Sequence, residues 1–435
     1  MSATAEEVLE TLARSGFDAA EVYAKRGRSR RVHLAGRLAT ASSAQEEGWA
    51  VRAGQARGAF FFAASGAPSA DVVWPEATGP ALRLPEPAPL GDWRPPADLD
   101  APLLAESEAR ALLEGIGREL ATELPGARLE QASLEEGASE SELWSSRGVR
   151  VTWKARVALL RVTALSGGPR RVRASVDVAA RLGHGFSPSA LARRLADRLH
   201  VQQAGSAPER DRGEFLLAPP VGARLLLGLL PALVGPGGAA RLQALQGRAT
   251  RLGTEALTVV DDGRLPQGVL SAPVDGEGTP TRELTLIAQG ELRQPLLPWW
   301  AARPPQTRAS GCVRRASYRD LPAAGPSQLF VRPRSEVAVA TLLGGVSRGY
   351  YLLDATGGGV FDFDADRFAL PVCGFAVQGG RSSAPVGGAW LCGGIGALLR
   401  GVQGAARDLA FFPLDGMLGA PTLLVTGLEL RSSPP

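Results

Sequence analysis

Two long runs of alternating apolar and polar residues constrain the fold of this chain more than any other feature. They cover residues 149–164 and 170–179. Such alternation is typical of strands that have one buried and one solvated face. Shorter segments of the same kind occur at 20–26, 30–35, 49–53, 57–63, 128–134 and 140–145. We therefore predict a curved antiparallel sheet in the N-terminal half.

Helices with one apolar face are predicted beside these strands. They cover residues 5–15 and 103–123, and a third helix begins at Ser187-Pro188, a sequence typical of a helix start. The apolar face of the third helix is predicted to consist of Leu191, Leu195 and Leu199. Three more helices are predicted at 221–234, 239–246 and 395–402.

Proline content divides the chain. Residues 65–102 contain nine prolines, which exclude regular helix and most sheet pairing, so a linker or extended strap is expected. From residue 214 onward, short apolar segments are broken by glycine and proline, as in a large antiparallel β domain. We predict an α+β fold with four regions: an N-terminal α+β region (1–64), the proline-rich linker, a central α+β region (103–212) and a β-rich C-terminal domain (213–435).

The segment 254–292 has the most specific local pattern of the C-terminal half. The β-branched residues 258–260 predict a strand, and Asp261-Asp262-Gly263 predicts a turn after it. Residues 283–292 predict a hairpin that reverses at Gln289-Gly290. The acidic loop, residues 275–280, is expected to lie outside the core because glycine, proline and two carboxylates are concentrated there.

Composition excludes several classes of function. A formal charge of +4 is small for 435 residues, and the arginines are dispersed, so no nucleic-acid partner is expected. The most apolar run, residues 225–235, contains Pro231 and is far shorter than the roughly 20 residues of a membrane span, so no membrane association is expected. The three cysteines form no CxxC pair and no secretory leader is recognisable, so a reducing cytoplasm is the expected location.

Familiar catalytic patterns are weak in this chain. The three histidines, His33, His184 and His200, are too far apart for an HExxH motif. Ser347 lies in a GxSxG match, but the residues after it predict a strand and no histidine follows, so we interpret the match as coincidence. Cys312 lies near two arginines that could lower its pKa, yet a buried structural thiol is the favoured interpretation.

A set of motifs spread along the chain is more informative. They are GFDAAEVY (16–23), GWAVR (48–52), TEALTVVDDG (254–263), VDGEGTPT (274–281), LIAQGEL (286–292), SGCVRRASY (310–318) and GAPTLLVTGL (419–428). Together they resemble the TldD/TldE (PmbA) metallopeptidase family, and the likeness covers the whole chain. Cys312 and Gln328 stand where many members of that family have asparagine.

The resemblance implies a heterodimeric zinc metallopeptidase that acts on unfolded or modified peptides. The catalytic TldD-type subunit carries HExxxH on a helix just before the signature, and a cysteine near its C-terminus completes the zinc site. The corresponding segment here, residues 221–235, contains no histidine, glutamate, aspartate or cysteine, and no cysteine follows Cys392. The chain therefore resembles the TldE-type subunit. We expect no catalytic residue, metal ligand or cofactor of its own, with zinc only in a TldD-like partner.

The predicted function is that of a non-catalytic subunit that helps to present peptide substrates. Its candidate peptide-binding residues are Asp275, Glu277, Arg314 and Arg315, each of which could instead stabilise a turn or lie on the surface. Two alternatives remain open from the sequence. The chain could be an independent peptidase or hydrolase with an unrecognised site, such as Cys312 with the two arginines. It could also be a regulatory protein of the type that the family's older label, "modulator of DNA gyrase", suggests.

Overall fold

The N-terminal half is built on one six-stranded antiparallel sheet of order β3-β2-β1-β4-β5-β6. The computed structural model of the protein describes residues 4–36, 38–168, 170–246, 251–302, 309–334 and 336–435. The elements of this half are α1 (Ala5–Arg14), β1 (Ala19–Ala35), β2 (Leu38–Gln55), β3 (Gly58–Ser65), α2 (Glu106–Glu123), β4 (Arg128–Ser145), β5 (Arg150–Leu165), β6 (Arg173–Ala180) and α3 (Pro188–Ala204).

Three strands of this sheet, β1, β2 and β4, are longer than the sequence patterns indicate. The segments predicted at 20–26 and 30–35 form one strand, β1, and those at 128–134 and 140–145 form one strand, β4. The first half of β2 was not predicted, since most of its residues are exposed and no alternation marks them. The central strands β1 and β4 are paired on both sides, so the neighbouring ladders hold glycine- and serine-rich segments extended where local propensity is weak.

Helices α2 and α3 pack on this sheet and enclose an apolar core. The predicted face of α3, Leu191, Leu195 and Leu199, is buried, and Ser187 caps the helix by accepting a hydrogen bond from the Ala190 amide. Helix α1 packs separately, with Val8 and Leu12 against Val22 and Trp49.

The proline-rich segment after β3 crosses the surface without a helix. Its one backbone bridge in the described residues pairs Thr78 with Ala59, and Trp74 stacks on Phe60 with ring centroids 5.9 Å apart.

Sheets dominate the C-terminal half. Its elements are β7 (Arg210–Arg212), β8 (Glu214–Leu217), α4 (Pro219–Leu233), α5 (Pro236–Gln246), β9 (Val259–Asp262), β10 (Glu283–Ala288), β11 (Glu291–Leu292), β12 (Val313–Arg314), β13 (Ala323–Ala324), β14 (Gln328–Val331), α6 (Val339–Gly345), β15 (Arg348–Ala355), β16 (Val360–Asp362), β17 (Arg367–Gln378), β18 (Arg381–Gly393), α7 (Ile395–Gly401), β19 (Val402–Ala405), β20 (Ala410–Leu414), β21 (Gly416–Ala420), β22 (Leu423–Val425) and β23 (Glu429–Arg431).

These strands form a nine-stranded sheet of order β19-β22-β8-β15-β17-β18-β23-β7, with β16 beside β17, and a six-stranded sheet of order β11-β10-β9-β14-β21-β20. Pairing is antiparallel except between β8 and β15 and between β14 and β21. The predicted α+β class is confirmed. No helix in the described part of the chain is long and apolar enough to cross a membrane.

In the segment 254–292, residues 261 and 262 differ from their prediction. Asp261 and Asp262 do not form a turn but end the buried strand β9. Their carboxylates are compatible with burial because Asp261 accepts a hydrogen bond from the Ser327 amide (2.9 Å) and Asp262 accepts one from the Arg264 amide (2.8 Å). The hairpin between β10 and β11 is confirmed, and it reverses at Gln289-Gly290, where both residues have positive φ.

Candidate functional site

Helix α4 occupies the place in the sequence where the resemblance puts the zinc-binding helix. It begins with two prolines and is mostly buried. Its glycines allow close packing, since a Cβ on Gly222 would lie 2.5 Å from the Cβ of Ala420. No group of three histidine, cysteine, aspartate or glutamate side chains in the described part of the chain could hold a metal ion. The residues present on α4 therefore do not fit zinc.

The acidic loop, residues 275–280, is organised by the Asp275 carboxylate. One oxygen accepts hydrogen bonds from the amides of Glu277 (2.9 Å) and Thr279 (3.0 Å), and the other accepts one from the Val313 amide (3.1 Å). Burial raises the pKa of Asp275 to about 6, against the opposing effect of these amides. Asp275 therefore holds the loop in shape and fixes it to β12. The expectation that the loop lies outside the core is wrong, because residues 275–279 are buried.

Glu277 belongs to an interdomain ion network made of Glu21, Arg52, Glu277 and Arg315. Arg52 contacts both oxygens of Glu21 at 2.7 and 2.9 Å and reaches Glu277 at 2.8 Å. Arg315 binds Glu21 and also donates to the carbonyl of Gly276 (2.8 Å). Two residues of the N-terminal sheet are thus joined to two loops of the C-terminal half.

The pKa values of the two carboxylates in the network are shifted in opposite directions. Burial alone would raise the pKa of Glu21, but Arg52 and Arg315 outweigh it and lower the pKa. Burial raises the pKa of Glu277 to about 8, and the attraction of Arg52, which already faces Glu21, offsets this only in part. The second oxygen of Glu277 is buried without a hydrogen-bond partner. Glu277 is therefore the carboxylate of the network with the greater tendency to take up a proton.

The acidic loop (275–280) and the loop that follows β12 (315–322), here called the signature loops, dock onto the N-terminal sheet through shape as well as charge. Gly278 has a φ of +87°, and a Cβ there would lie 2.7 Å from a methyl group of Val149. Tyr318 is buried, and its hydroxyl lies 3.1 Å from the Ser65 hydroxyl. The signature loops are therefore part of the contact between the two halves.

Arg314 and Arg315 point to different surroundings. Arg315 is buried, with its guanidinium 4.8 Å from the centre of the Tyr23 ring. Arg314 forms an ion pair with Asp415 at 2.9 Å and keeps 32% of its side chain exposed. Of the four candidate peptide-binding residues, Arg314 thus has the accessible side chain, whereas Asp275, Glu277 and Arg315 support the loops. Peptide binding by these residues stays a prediction.

The other nucleophile candidates lie in unsuitable surroundings. All three cysteines are free and buried. Burial raises the pKa of the Cys312 thiol, and the nearby Asp275 and Asp261 raise it further, so the arginines do not activate it. Ser347 follows helix α6 and precedes β15, which is the reverse of the strand–turn–helix order of a nucleophile elbow.

Two clefts between the two halves, together called the groove, were not predicted. They lie along the contact between β6, an edge of the N-terminal sheet, and β20, an edge of the second C-terminal sheet. One cleft of about 320 Å³ adjoins the start of β6, and another of about 490 Å³ adjoins its end. Residues 412–414 of β20 line the first cleft, and Phe411 and Met417 line the second. Both volumes fall within the range of about 300–1,000 Å³ that is usual for ligand sites.

Arginines of helices α3 and α4 border the first cleft. Arg198 and Arg224 line the cleft, and Arg194 lies next to it, beside the ring of the lining residue Phe412. The sequence contained one signal for them, because Arg194 and Arg198 are spaced four apart next to the leucine face of α3.

Comparison with known proteins identifies the family. A sequence model of the PmbA/TldA metallopeptidase C-terminal domain matches residues 212–432. The chain belongs to this family. Among curated PmbA/TldA relatives, a metalloprotease TldD homolog of Buchnera aphidicola (subsp. Schizaphis graminum) is 25% identical over 170 residues, which is 39% of this chain and 35% of the homolog. The chain thus matches about a third of the length of that relative.

Solved structures share the fold of this chain. TldE from Thermococcus kodakarensis superimposes with a TM-score of 0.83 at 17% identity, covering 98% of this chain and 99% of that protein. A proposed modulator of a DNA gyrase from Thermotoga maritima gives 0.82 at 17% identity, covering 98% of each chain. The predicted resemblance to this family, including its TldE-like members, is confirmed.

Proposed function

We propose that this chain is a non-catalytic, metal-free subunit of a heterodimeric zinc metallopeptidase. A TldD-like partner would supply the zinc site, and the pair would cleave unfolded or modified peptides during their turnover or maturation. The observation that carries the proposal is the composition of α4. A reducing cytoplasm, in which three unpaired thiols stay reduced, is part of the proposal.

Zinc hydrolysis requires donors that helix α4 lacks. A catalytic zinc ion needs three protein ligands, and its bound water needs a general base. Every side chain of α4 is apolar or absent except that of Arg224, whose positive charge would repel a metal ion. The fold of the family is thus combined with a helix unable to perform the family's chemistry.

The groove between β6 and β20 supports a role in holding peptides. Cα atoms of the two strands come within 8 Å of each other, whereas an inserted third strand requires about 9.6 Å, or two strand spacings. A peptide would therefore occupy the two clefts and be held by its side chains and ends. Arg314 lies beyond the groove, where it pairs with Asp415 in the turn that follows β20. Because 32% of its side chain is exposed, a peptide could also contact it there.

Reconstitution with a TldD-like subunit tests the proposed function. We expect a 1:1 complex in light scattering and one zinc ion per complex by elemental analysis. An unfolded peptide should be cleaved by the complex and not by this chain alone. Replacing the metal-site glutamate of the partner should abolish cleavage but preserve the complex. The proposal is wrong if this chain alone binds zinc stoichiometrically and cleaves the peptide.

A further inference from the structure

The arginines that line or border the first cleft carry more positive charge than the nearby carboxylates neutralise. Arg198 is already committed, because it forms an ion pair with Asp354 at 3.0 Å and donates to the carbonyl of Ser175. Arg194 and Arg224 form no hydrogen bond or ion pair with another described residue. Their charges nevertheless influence Asp354. Burial raises the pKa of Asp354, and the positive charges of Arg198, Arg194 and Arg224 oppose that rise.

Other charges around the cleft do not remove this surplus. Arg173 at its edge pairs with Glu130, so it neither adds to the surplus nor reduces it. Asp177 also lines the cleft, on β6, so Arg194, Arg198 and Arg224 together face two carboxylates, those of Asp177 and Asp354. Positive charge therefore remains in excess where α3 and α4 meet the start of β6.

Arg194 is the guanidinium that would gain most from an anion. Its charged group lies 5.8 Å from the centre of the ring of Phe412, a residue that lines the cleft. Burial and, to a lesser extent, the like charge of Arg198 lower the pKa of Arg194 to about 10. A bound anion would offset both effects, since an opposite charge stabilises a desolvated cation.

We propose that this cleft binds the C-terminal carboxylate of a peptide, with Arg194 and Arg224 as its donors. The planar guanidinium matches the two oxygens of a carboxylate and can bind them in pairs. A chain terminus is common to all peptides, so this contact would hold substrates of different sequence at one end of the groove. The inference rests on the proposed function, because it assigns one end of the peptide to this subunit.

Peptide binding to the full chain, measured by fluorescence anisotropy, tests the assignment. The probe is an unstructured ten-residue peptide with a dye at its N-terminus, made with a free C-terminal carboxylate, with a C-terminal amide, and as an amide with one internal glutamate. We expect both amides to bind about tenfold more weakly or worse, the scale of one hydrogen bond to a charged group. R194Q and R224Q should each weaken binding of the free-acid peptide about tenfold, which is the lower end of that scale, and leave the amides unchanged.

Matched variants separate charge from folding. R381Q removes an exposed arginine on β18, away from the cleft, and should leave all affinities unchanged. R194K keeps the charge but not the planar fork, so it should bind the free acid with intermediate affinity. A thermal unfolding midpoint close to that of the wild type shows that each variant folds.

Each contrary result has a distinct meaning. Equal binding of acid and amide, unaffected by R194Q and R224Q, overturns the carboxylate site but leaves a peptide groove. Binding of the internal-glutamate amide as tight as that of the acid overturns the assignment to the chain terminus. Absence of binding by all three peptides overturns both the site and the proposed presentation of peptides by this subunit.

Discussion

Replacing Glu277 by glutamine should increase the stability of this protein at alkaline pH. The residue is 2% exposed, its second carboxylate oxygen has no hydrogen-bond partner, and burial raises its pKa from an ordinary 4.5 to about 8. The folded state therefore favours the protonated form. The stability contributed by the protonated Glu277 carboxyl group is fully present below pH 4.5 and is lost as the pH rises through 8.

The size of the effect follows from the two pKa values. Their difference corresponds to about 5 kcal/mol, at about 1.4 kcal/mol per pH unit. Glutamine cannot ionise and can still accept a hydrogen bond from Arg52, so E277Q avoids most of this loss. With an unfolding entropy of about 2.1 cal/mol/K per residue, 1 kcal/mol shifts the midpoint of a chain this long by about 1 °C. The midpoint of E277Q relative to wild type should rise by about 2–5 °C between pH 5 and pH 8.5.

Thermal unfolding monitored by circular dichroism across this pH range measures the effect. Glu283 offers a matched control, because its side chain is 51% exposed and pairs with Arg332 on the surface, so E283Q should change stability by less than about 1 kcal/mol at every pH. The reasoning is refuted if E277Q lowers the midpoint at pH 8.5 by as much as at pH 5. That result would show a Glu277 that is ionised in the fold and stabilises it through Arg52.

Three further predictions concern the signature loops and the thiols. G278A should destabilise the protein by about 2 kcal/mol or more, since a Cβ there would strain the backbone and meet Val149; G344A, with open space around it, is the thermal-unfolding control. D275N should cost about 1–3 kcal/mol because its amide nitrogen cannot accept an amide hydrogen bond, and a wild-type midpoint would contradict this. The three thiols should react with a disulfide reagent only after denaturant is added, and rapid labelling of the native protein would refute their burial.

Local sequence patterns were sufficient where local chemistry determines the structure. The start of α3 at Ser187-Pro188 and the hairpin at Gln289-Gly290 were predicted, because a cap and a tight turn depend on a few adjacent residues. The motifs also predicted the family. The length of β1 could not be predicted from its own residues, since pairing with β2 and β4 on either side holds it extended.

At the candidate site, the difference between what local sequence predicts and what long-range contacts determine is larger. Two carboxylates and two glycines in the acidic loop predicted exposure, yet the loop is buried because Arg52 reaches Glu277 from the other half of the chain. Glu21 and Arg52 are direct cross-strand neighbours on β1 and β2, so correct hairpin pairing would have brought them together. Nothing in the local sequence connects that pair to residues 277 and 315. Contacts of this range depend on how the two halves dock.

The interdomain ion network has a consequence for how the protein is made. Glu21 and Arg52 leave the ribosome early, whereas Arg315 follows Arg52 by about 260 residues, or about 13–50 s at 5–20 residues per second. Throughout that interval Arg52 is available to Glu21, but Arg315 has not been made, and Glu277 is made only 38 residues before it. The nascent N-terminal sheet must therefore keep this charged pair in contact with water until the signature loops emerge. Closure of the two halves can only be a late event of synthesis.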